Sequence, residues 1–336
     1  MSRLTQFGND LYTGQRSFDF VGRRNTWYLI AAIFVILAIG LTALRGGFVF
    51  GIEFRGGSEF RVQSTSVVEQ GTAAATAIAD EAVASVVPDA NPRVSIVGGD
   101  SVRVQTEQLT PAQTEEVRAA LAEAYGVAES DVSSSFIGAT WGADITRQAL
   151  IALVVFLILA SLVLAVYFRT WKMSLAAVIA LFHDLIITAG VYGVFGLEIT
   201  PAAVIGFLTI LGYSLYDTVV VFDKVRENTN EDGAESRRTF AQSVNLAVNQ
   251  TLVRSINTSI VAVLPTASIL FIGSLLLGAG TLRDIALALT VGTIVGTYSS
   301  IFLAAPLYVH LRQNEPEVKK QGTRPRVTRT ESGAVR

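Results

Sequence analysis

Long apolar stretches alternate with polar ones along this chain, and six of them approach the length that crosses a membrane. A membrane-spanning helix needs about 20 predominantly apolar residues. The predicted spans are Trp27–Leu44, Leu150–Phe168, Met173–Phe195, Pro201–Phe222, Ser255–Leu277 and Ile285–Val309. The first span follows a polar segment and has no Ala-x-Ala site after it, so we do not expect it to be a cleaved signal peptide.

These spans divide the chain into segments of different character. The predicted segments are an N-terminal segment at 1–26, the first span at 27–44, a soluble domain at 45–146, spans two to six at 147–310 with a polar segment at about 223–250, and a tail at 311–336. The tail ends in polar and basic residues and is expected to be disordered. The predicted fold class is a polytopic α-helical membrane protein with one α+β domain between the first two helices.

Within the soluble domain, strand and helix signals follow one another in the order β-α-β-β-α-β. The predicted elements are strands at Ser58–Gln63, Arg93–Val97, Ser101–Thr106 and Val132–Ile137, and helices at Val67–Val86 and Pro111–Tyr125. Gly98-Gly99-Asp100 predicts a hairpin turn. Thr110 before Pro111 predicts a helix N-cap, and Gly126 predicts the end of that helix. This order is that of a ferredoxin-like unit.

The distribution of Lys and Arg predicts the orientation in the membrane. Most of the 26 basic residues lie in the N-terminal segment, the turn containing Arg169 and Lys172, the segment 223–254 and the tail. Cytoplasmic loops carry such an excess. Among the short loops of the other side, Arg283 is an exception. We therefore expect both termini in the cytoplasm and the soluble domain on the extracytoplasmic side.

Composition supports a membrane protein and argues against several kinds of chemistry. The chain is 51% hydrophobic and 16% charged, whereas soluble domains carry about 25% charge. With no Cys and two His, it lacks disulfides and a thiol nucleophile, and a His-based metal site is not expected. A net charge of −2 gives no reason to expect nucleic acid. We see no nucleotide-binding motif, and we expect neither an enzyme nor a cofactor.

Three ionisable side chains within or beside the spans are the candidate functional residues. Asp217 is the only acidic or basic residue between Pro201 and Phe222. A charge at the centre of a membrane helix costs about 2.5 to 3.5 kcal/mol on insertion scales. Asp184 lies inside the third span beside His183, and Arg254 lies at the start of the fifth.

Each of these residues has a structural alternative. Asp217 could be a hydrogen-bond acceptor that joins helices, Asp184 could form a polar packing pair with His183, and Arg254 could be a helix-end residue that snorkels. The functional alternative is a proton relay. A buried carboxylate paired with a cation would change its partners on protonation, and the surrounding helices would have to rearrange.

The neighbours of Asp217 favour a polar interior. The glycines Gly206 and Gly212, together with Ser214, are predicted to let helices approach closely, and Gly292 and Gly296 form a GxxxG pair. The start of the fifth span is too polar to face lipid, so we expect it to face the bundle interior. Its polar residues are Thr251, Ser255, Asn257, Thr258 and Ser259.

Several motifs, in order along almost the whole chain, resemble those of the SecD/SecF family of protein-export membrane subunits, and specifically its SecF type. The motifs are Gly51–Gly57 (GIEFRGG), Phe136–Asp144 (FIGATWGAD), Ala180–Thr188 (ALFHDLIIT), Gly212–Val220 (GYSLYDTVV), Phe222–Asn228 (FDKVREN) and Asn249–Arg254 (NQTLVR). Glu53 stands where the family usually has Asp, and Tyr216 where Asn commonly precedes the key Asp.

The resemblance implies a role in protein export across the bacterial plasma membrane, driven by the proton-motive force, and kinship with the resistance-nodulation-division transporters. It implies a SecD-like subunit, the SecYEG channel, exported polypeptides, the lipid bilayer and protons as partners. It assigns Asp217 and Arg254 to the proton pathway, and Asp184 less directly. The alternatives are half of a proton-coupled exporter of small molecules or lipids, and a scaffold that moves no protons.

Overall fold

The computed structural model describes residues 3–63, 65–97, 100–168, 170–231, 238–273, 280–316 and 318. Among these residues, six helices are long and apolar enough to cross a membrane, which confirms the predicted number. We call them spans one to six. Their helices are Arg24–Leu44, Ala139–Phe168, Trp171–Phe195, Pro201–Glu231, Phe240–Ser268 and Gly280–Tyr298. A shorter helix, Arg3–Tyr12, precedes span one.

The connection between spans four and five is more helical than predicted. The polar segment expected at about 223–250 is occupied by the end of span four, which runs to Glu231, and the start of span five at Phe240. A capping box begins span five: the Thr239 hydroxyl accepts from the amide of Gln242 at 3.3 Å, and the Gln242 side chain accepts from the amide of Thr239 at 2.9 Å. The polar segment therefore contains the ends of two long helices, which stop at Glu231 and begin again at Phe240.

Spans five and six contain irregular turns. Pro265 lies inside span five and is followed by a π-helical turn at Ile269–Gly273. Proline removes a backbone donor from a helix interior and disturbs the regular ladder. Span six passes through a second π-helical turn, Ser299–Ala304, and continues as the helix Ala305–Arg312.

Glycine allows spans four and six to pack closely. A Cβ at Gly292 would lie 2.3 Å from a side-chain carbon of Ile210, and one at Gly206 would lie 2.6 Å from a methyl group of span six. Gly296 is similarly close to the facing helix, so the predicted close-packing pair is confirmed. The expectation for Gly212 is wrong, because a Cβ there would meet no atom within 4 Å.

The α+β domain is built on a four-stranded antiparallel sheet. The strands of the structure are β1 (Val49–Phe50), β2 (Gly57–Gln63), β3 (Arg93–Val97), β4 (Ser101–Thr106), β5 (Val132–Ile137) and β6 (Glu198–Ile199). The sheet has the order β3-β4-β2-β5, while β1 and β6 form a separate parallel pair. Alternation along the strands places Phe60, Val62 and Val104 in a core against the helices Thr72–Val86 and Pro111–Tyr125.

The local predictions in this domain are met in part. Pro111–Tyr125 is a helix with a capping box at Thr110 and ends at Gly126, as predicted. The helix predicted at Val67–Val86 is wrong as a single element: two helices, Thr65–Gln70 and Thr72–Val86, are separated by Gly71, whose φ of +91° breaks the helix. The glycines of the predicted hairpin, 98 and 99, lie outside the described residues.

Candidate functional site

Asp217 is buried inside the helix bundle and is held by two serine hydroxyls. Its side chain is 4% exposed. Ser255, from span five, donates to Oδ1 at 2.7 Å, and Ser300, from the π-helical turn of span six, donates to Oδ2. Three helices therefore meet at this carboxylate.

Asp184, on span three, forms a second buried site of the same kind. Its side chain is 1% exposed. Its Oδ2 accepts from Ser299 at 2.7 Å and from Ser214, and its Oδ1 is 3.1 Å from Nδ1 of the neighbouring His183. The other ring nitrogen of His183, Nε2, is buried without a hydrogen-bond partner among the described residues. The predicted pairing of His183 with Asp184 is present, and it is only one part of a larger network.

The two carboxylates belong to one polar network because they share elements. The adjacent serines at the start of the π-helical turn serve different acids: Ser299 bonds to Asp184 and Ser300 to Asp217. Ser214, which bonds to Asp184, lies on the same helix as Asp217. Spans four and six therefore contribute hydrogen-bonding groups to both carboxylate sites.

Within the described ranges, no Lys or Arg nitrogen lies within 4 Å of either carboxylate. Arg254 immediately precedes Ser255, but its side chain is exposed and donates to the Tyr216 hydroxyl at 3.4 Å. The structure thus places Arg254 beside Tyr216, the neighbour of Asp217 in sequence, and does not join Arg254 and Asp217 as an ion pair. Neutral hydroxyls are the partners of the buried acid.

The polar start of span five is divided between two faces. Thr251, Ser255 and Ser259, spaced four residues apart, are buried, as predicted. Asn257 is exposed and Thr258 is half-buried, so the expectation that all five polar residues face the interior is wrong. At about 100° per residue, Thr251, Ser255, Thr258 and Ser259 lie on one side of the helix, whereas Asn257 lies on the other.

Further hydroxyl pairs link spans four, five and six, from Asp217 towards the α+β domain. Ser259 and Thr297 are 2.5 Å apart, Tyr213 donates to Ser259 at 3.4 Å, and Thr290 donates to Thr266 at 3.1 Å. Hydroxyls can both donate and accept hydrogen bonds. These pairs are polar groups inside an apolar bundle, and they extend the site towards one end.

The serines of span six were not among the residues predicted from the sequence. Ser299 and Ser300 are adjacent hydroxyls in a long apolar stretch, a weaker signal than a charge because serine is tolerated in membrane helices. Polar groups inside a membrane bundle usually face the interior. That rule would have marked the pair as inward-facing without indicating which carboxylate each serine reaches.

Six spans, a small α+β domain and two buried intramembrane carboxylates define a polytopic membrane protein with an internal polar site. Residues 116–314 match the model of a family described as protein export membrane protein SecD/SecF, C-terminal. The chain belongs to the SecD/SecF family.

Relatives named for one subunit type match the chain over most of its length. It is 44% identical to the protein translocase subunit SecF of Mycobacterium tuberculosis (strain ATCC 25618 / H37Rv), over 98% of this chain and 74% of the relative. It is 42% identical to the SecF subunit of Streptomyces coelicolor, over 95% of this chain and 83% of the relative.

A solved structure supports the same fold. The crystal structure of SecDF from Thermus thermophilus, described as a translocon-associated membrane protein, matches with a TM-score of 0.75 and 30% identity. The match covers 89% of this chain and 39% of the SecDF chain. The present chain therefore spans about two fifths of that larger protein.

Proposed function

We propose that this chain is a SecF-type accessory subunit of the Sec protein translocation machinery and that, with a SecD-like subunit, it uses the proton-motive force at late steps of export. The names of its relatives and the SecDF fold support the accessory role. The link to protons is supported by one observation above all: the buried Asp217 is held by neutral hydroxyls from two other spans.

This arrangement suits a group that gains and loses a proton. An ionised carboxylate only accepts hydrogen bonds, whereas a protonated one also donates. Because the hydroxyls of Ser255 and Ser300 can rotate from donor to acceptor, both states of Asp217 can be satisfied, with a different set of bonds in each. The change of bonds alters how span four is tied to spans five and six.

The proposed cycle makes these helices the moving parts. A proton reaches Asp217 along the hydroxyl pairs of spans five and six, the bonds to Ser255 and Ser300 rearrange, and span five turns so that Arg254 approaches the carboxylate and promotes proton release. Asp184 adjusts in parallel through Ser299. Each proton that crosses the membrane supplies about 2.3 kcal/mol per 100 mV.

A second chain is proposed to cover the face of span five that carries Arg254. In the most apolar stretch of this span, only 6% of the residues are buried within the chain. Arg254 and Asn257 are also exposed on this helix. Exposed charged groups are costly against lipid and usually face protein or water. A SecD-like subunit at this face would cover them, and the SecYEG channel and the exported polypeptide complete the proposed assembly.

The proposal includes an orientation of the chain in the membrane. Both termini lie in the cytoplasm of a bacterial cell, in agreement with the basic residues of the N-terminal segment. The β-α-β-β-α-β domain is then an extracytoplasmic ferredoxin-like unit. In that position it can contact chains that leave the channel.

The test replaces Asp217 by Asn in the full chain with its SecD-like partner, in membrane vesicles that carry out export. We expect normal insertion and assembly, and loss of the export that depends on an imposed proton gradient. Asp223→Asn is the matched control, because Asp223 lies on the same helix and bonds to Tyr167 on an exposed surface. If Asp217→Asn exports as well as the wild type under the gradient, the chain acts as a scaffold. Gradient-driven efflux of a small molecule or lipid without an export defect would instead identify an exporter.

A further inference from the structure

The α+β domain meets the helix bundle at a compact group of charged and polar side chains, which we call the joint. It consists of Glu53, Glu59, Arg103, Gln105 and Glu198. Nη2 of Arg103 lies 2.9 Å from Oε2 of Glu198, and both side chains are mostly buried. Nε2 of Gln105 donates to Glu59 at 3.0 Å and to Glu198 at 3.4 Å.

The joint uses the face of the sheet that the domain helices leave open. Arg103 and Gln105 alternate along β4 with Val102 and Val104, which point into the domain core. The Nε atom of Arg103 also donates to Ser95 on β3 at 3.1 Å. The guanidinium is therefore anchored within the sheet on one side and bonded to Glu198 of the bundle on the other.

Glu198 lies where the bundle leads into the span that carries Asp217. It is in β6, between spans three and four, and span four begins at Pro201. Glu198 pairs with Val49 of β1, just after span one, and the amide of Gly51 donates to the carbonyl of Ile199 at 3.0 Å. A displacement of the start of span four therefore displaces Glu198.

The opposite side of the junction is fixed by close backbone packing. A Cβ at Gly142, in span two, would lie 2.8 Å from the carbonyl oxygen of Phe54. Thr146, one turn later, donates to the same carbonyl at 3.3 Å. The stretch Gly51–Gly57 is thus held against span two, and its Phe54 also belongs to the apolar cluster that contains Ile199 and Ala203 at the start of span four. Glu198 is the charged contact between that start and the sheet.

The joint contains more acidic than basic side chains. Arg103 pairs with Glu198, and the charges of Arg103, Glu59 and Glu198 all act on the buried carboxyl of Glu53. Two more charged groups, Arg283 and Asp284 at the start of span six, face the same region, and Arg61 lies 3.9 Å from Glu59. Oε2 of Glu53 is buried and has no hydrogen-bond partner among the described residues. The acids compete for Arg103, so its bond to Glu198 responds to the charge state around it.

We propose that Arg103 and Glu198 are positioning residues that couple movement of span four to the α+β domain. This inference rests on the proposed proton-driven function, since it assigns the route by which a change at Asp217 reaches the domain. The ion pair transmits displacement of span four through Glu198 to the sheet. The contact of Gly51–Gly57 with span two holds the base of the domain on the other side.

The first test reverses the charges in the full chain with its SecD-like partner. Arg103→Glu and Glu198→Arg are each expected to lower gradient-driven export at least about five-fold, the lower end of a typical coupling between sites. The double exchange should restore at least about half of it, because the pair is regenerated with opposite polarity. The matched control exchanges Arg118 and Glu115, a 2.6 Å ion pair on a domain helix, and should leave export unchanged. Single reversals that export like this control would overturn the proposal.

The second test measures position and separates the two proposals. Because the chain contains no Cys, labels introduced at the exposed residues Glu116 and Leu44 report the distance between the domain and span one. Asp217→Asn, a mimic of the protonated state, should shift this distance with an intact joint and with the double exchange, and should not shift it with either single reversal. An equal shift in the single reversals would rule out coupling through the pair. Normal export by Asp217→Asn would instead contradict the proposed function itself.

Discussion

The site around Asp217 and the joint around Glu198 hold buried or half-buried carboxylates in opposite ways. Inside the helix bundle, Asp217 has the neutral hydroxyls of Ser255 and Ser300 as partners. At the base of the α+β domain, Glu198 has the guanidinium of Arg103. The two carboxylates are connected along one stretch of chain, since span four begins three residues after Glu198 and carries Asp217.

The partners of each carboxylate fit a different proposed role: proton exchange for Asp217, and mechanical coupling to the domain for Glu198. A hydroxyl can donate to an ionised carboxylate or accept from a protonated one, so the same residues serve both states. A guanidinium has donors only and stays charged, so its ion pair with Glu198 requires the ionised acid. Neutral partners suit a site whose charge changes, and a charged partner suits a contact that must persist.

Among the substitutions that test this difference, removal of the hydroxyl partners of Asp217 should have the largest effect on export. We expect the double variant Ser255→Ala and Ser300→Ala to lose at least about ten-fold in gradient-driven export, because each unsatisfied buried group costs about 1–3 kcal/mol. Export is measured in vesicles with an imposed gradient. Ser268→Ala is the control, since Ser268 is exposed and bonds within its own helix to Leu264 at 2.7 Å. Wild-type export by the double variant would show that the hydroxyls are dispensable.

The close approach of spans four and six is the next element to test, because it brings the serines of span six to the acids. Gly292→Ala places a methyl group against Ile210 and should lower the free energy of unfolding by about 1–3 kcal/mol. Gly212→Ala, which meets no atom within 4 Å, should instead raise it by up to about 1 kcal/mol. Thermal unfolding of the purified complex measures both. Equal effects of the two substitutions would contradict the assigned packing.

Glu53 should make the joint sensitive to pH. Burial raises the pKa of the Glu53 carboxyl, the negative charges of Glu59 and Glu198 raise it further, and Arg103 opposes them. Burial in the joint therefore favours protonated Glu53, and the contribution of this one group to the joint is lost as the pH rises through its raised pKa.

Glu53→Gln should remove this dependence, which for one proton amounts to at most about 1.4 kcal/mol per pH unit. The distance between labels at Leu44 and Glu116, followed against pH, measures it. Glu115→Gln, an exposed acid on the same domain, is the control and should keep the wild-type profile. A profile unchanged by Glu53→Gln would assign the pH dependence to another group.

The smallest effects on stability should come from loss of two similar helix caps. One cap lies in the α+β domain and the other in the bundle, so together they test whether the two regions unfold separately. Thr110 and Thr239 both begin helices through a capping box with Gln three residues later. Each Thr→Ala variant should cost about 1 kcal/mol in stability. Loss of the Thr110 cap should increase amide exchange in the domain alone, and loss of the Thr239 cap should increase it at the start of span five. Exchange that spreads to both regions in either variant would argue against two separable units.

The sequence was most informative where polarity is conspicuous. Asp217 and Asp184 stand out because charge is rare in apolar spans, and both are buried. The partners were harder to predict, since the rotation of each helix decides which hydroxyl reaches which acid. For the same reason Arg254, next to Ser255 in sequence, is exposed and donates to Tyr216 instead of Asp217. Glu198 carried no local signal, because its role depends on an arginine that lies 95 residues earlier in the chain.

The π-helical turn at Ser299–Ala304 sets the rotation of the residues of span six that face the two carboxylates. A π turn accommodates one residue more than an α turn, and such turns are frequent at functional sites. If the extra residue were passed to the neighbouring turn, the residues it crossed would rotate by about 100°. Ser299 and Ser300 would then exchange directions or leave both carboxylates. Such a shift would change the partners of both carboxylates through a rotation of this part of span six, without translation of the helix along its axis.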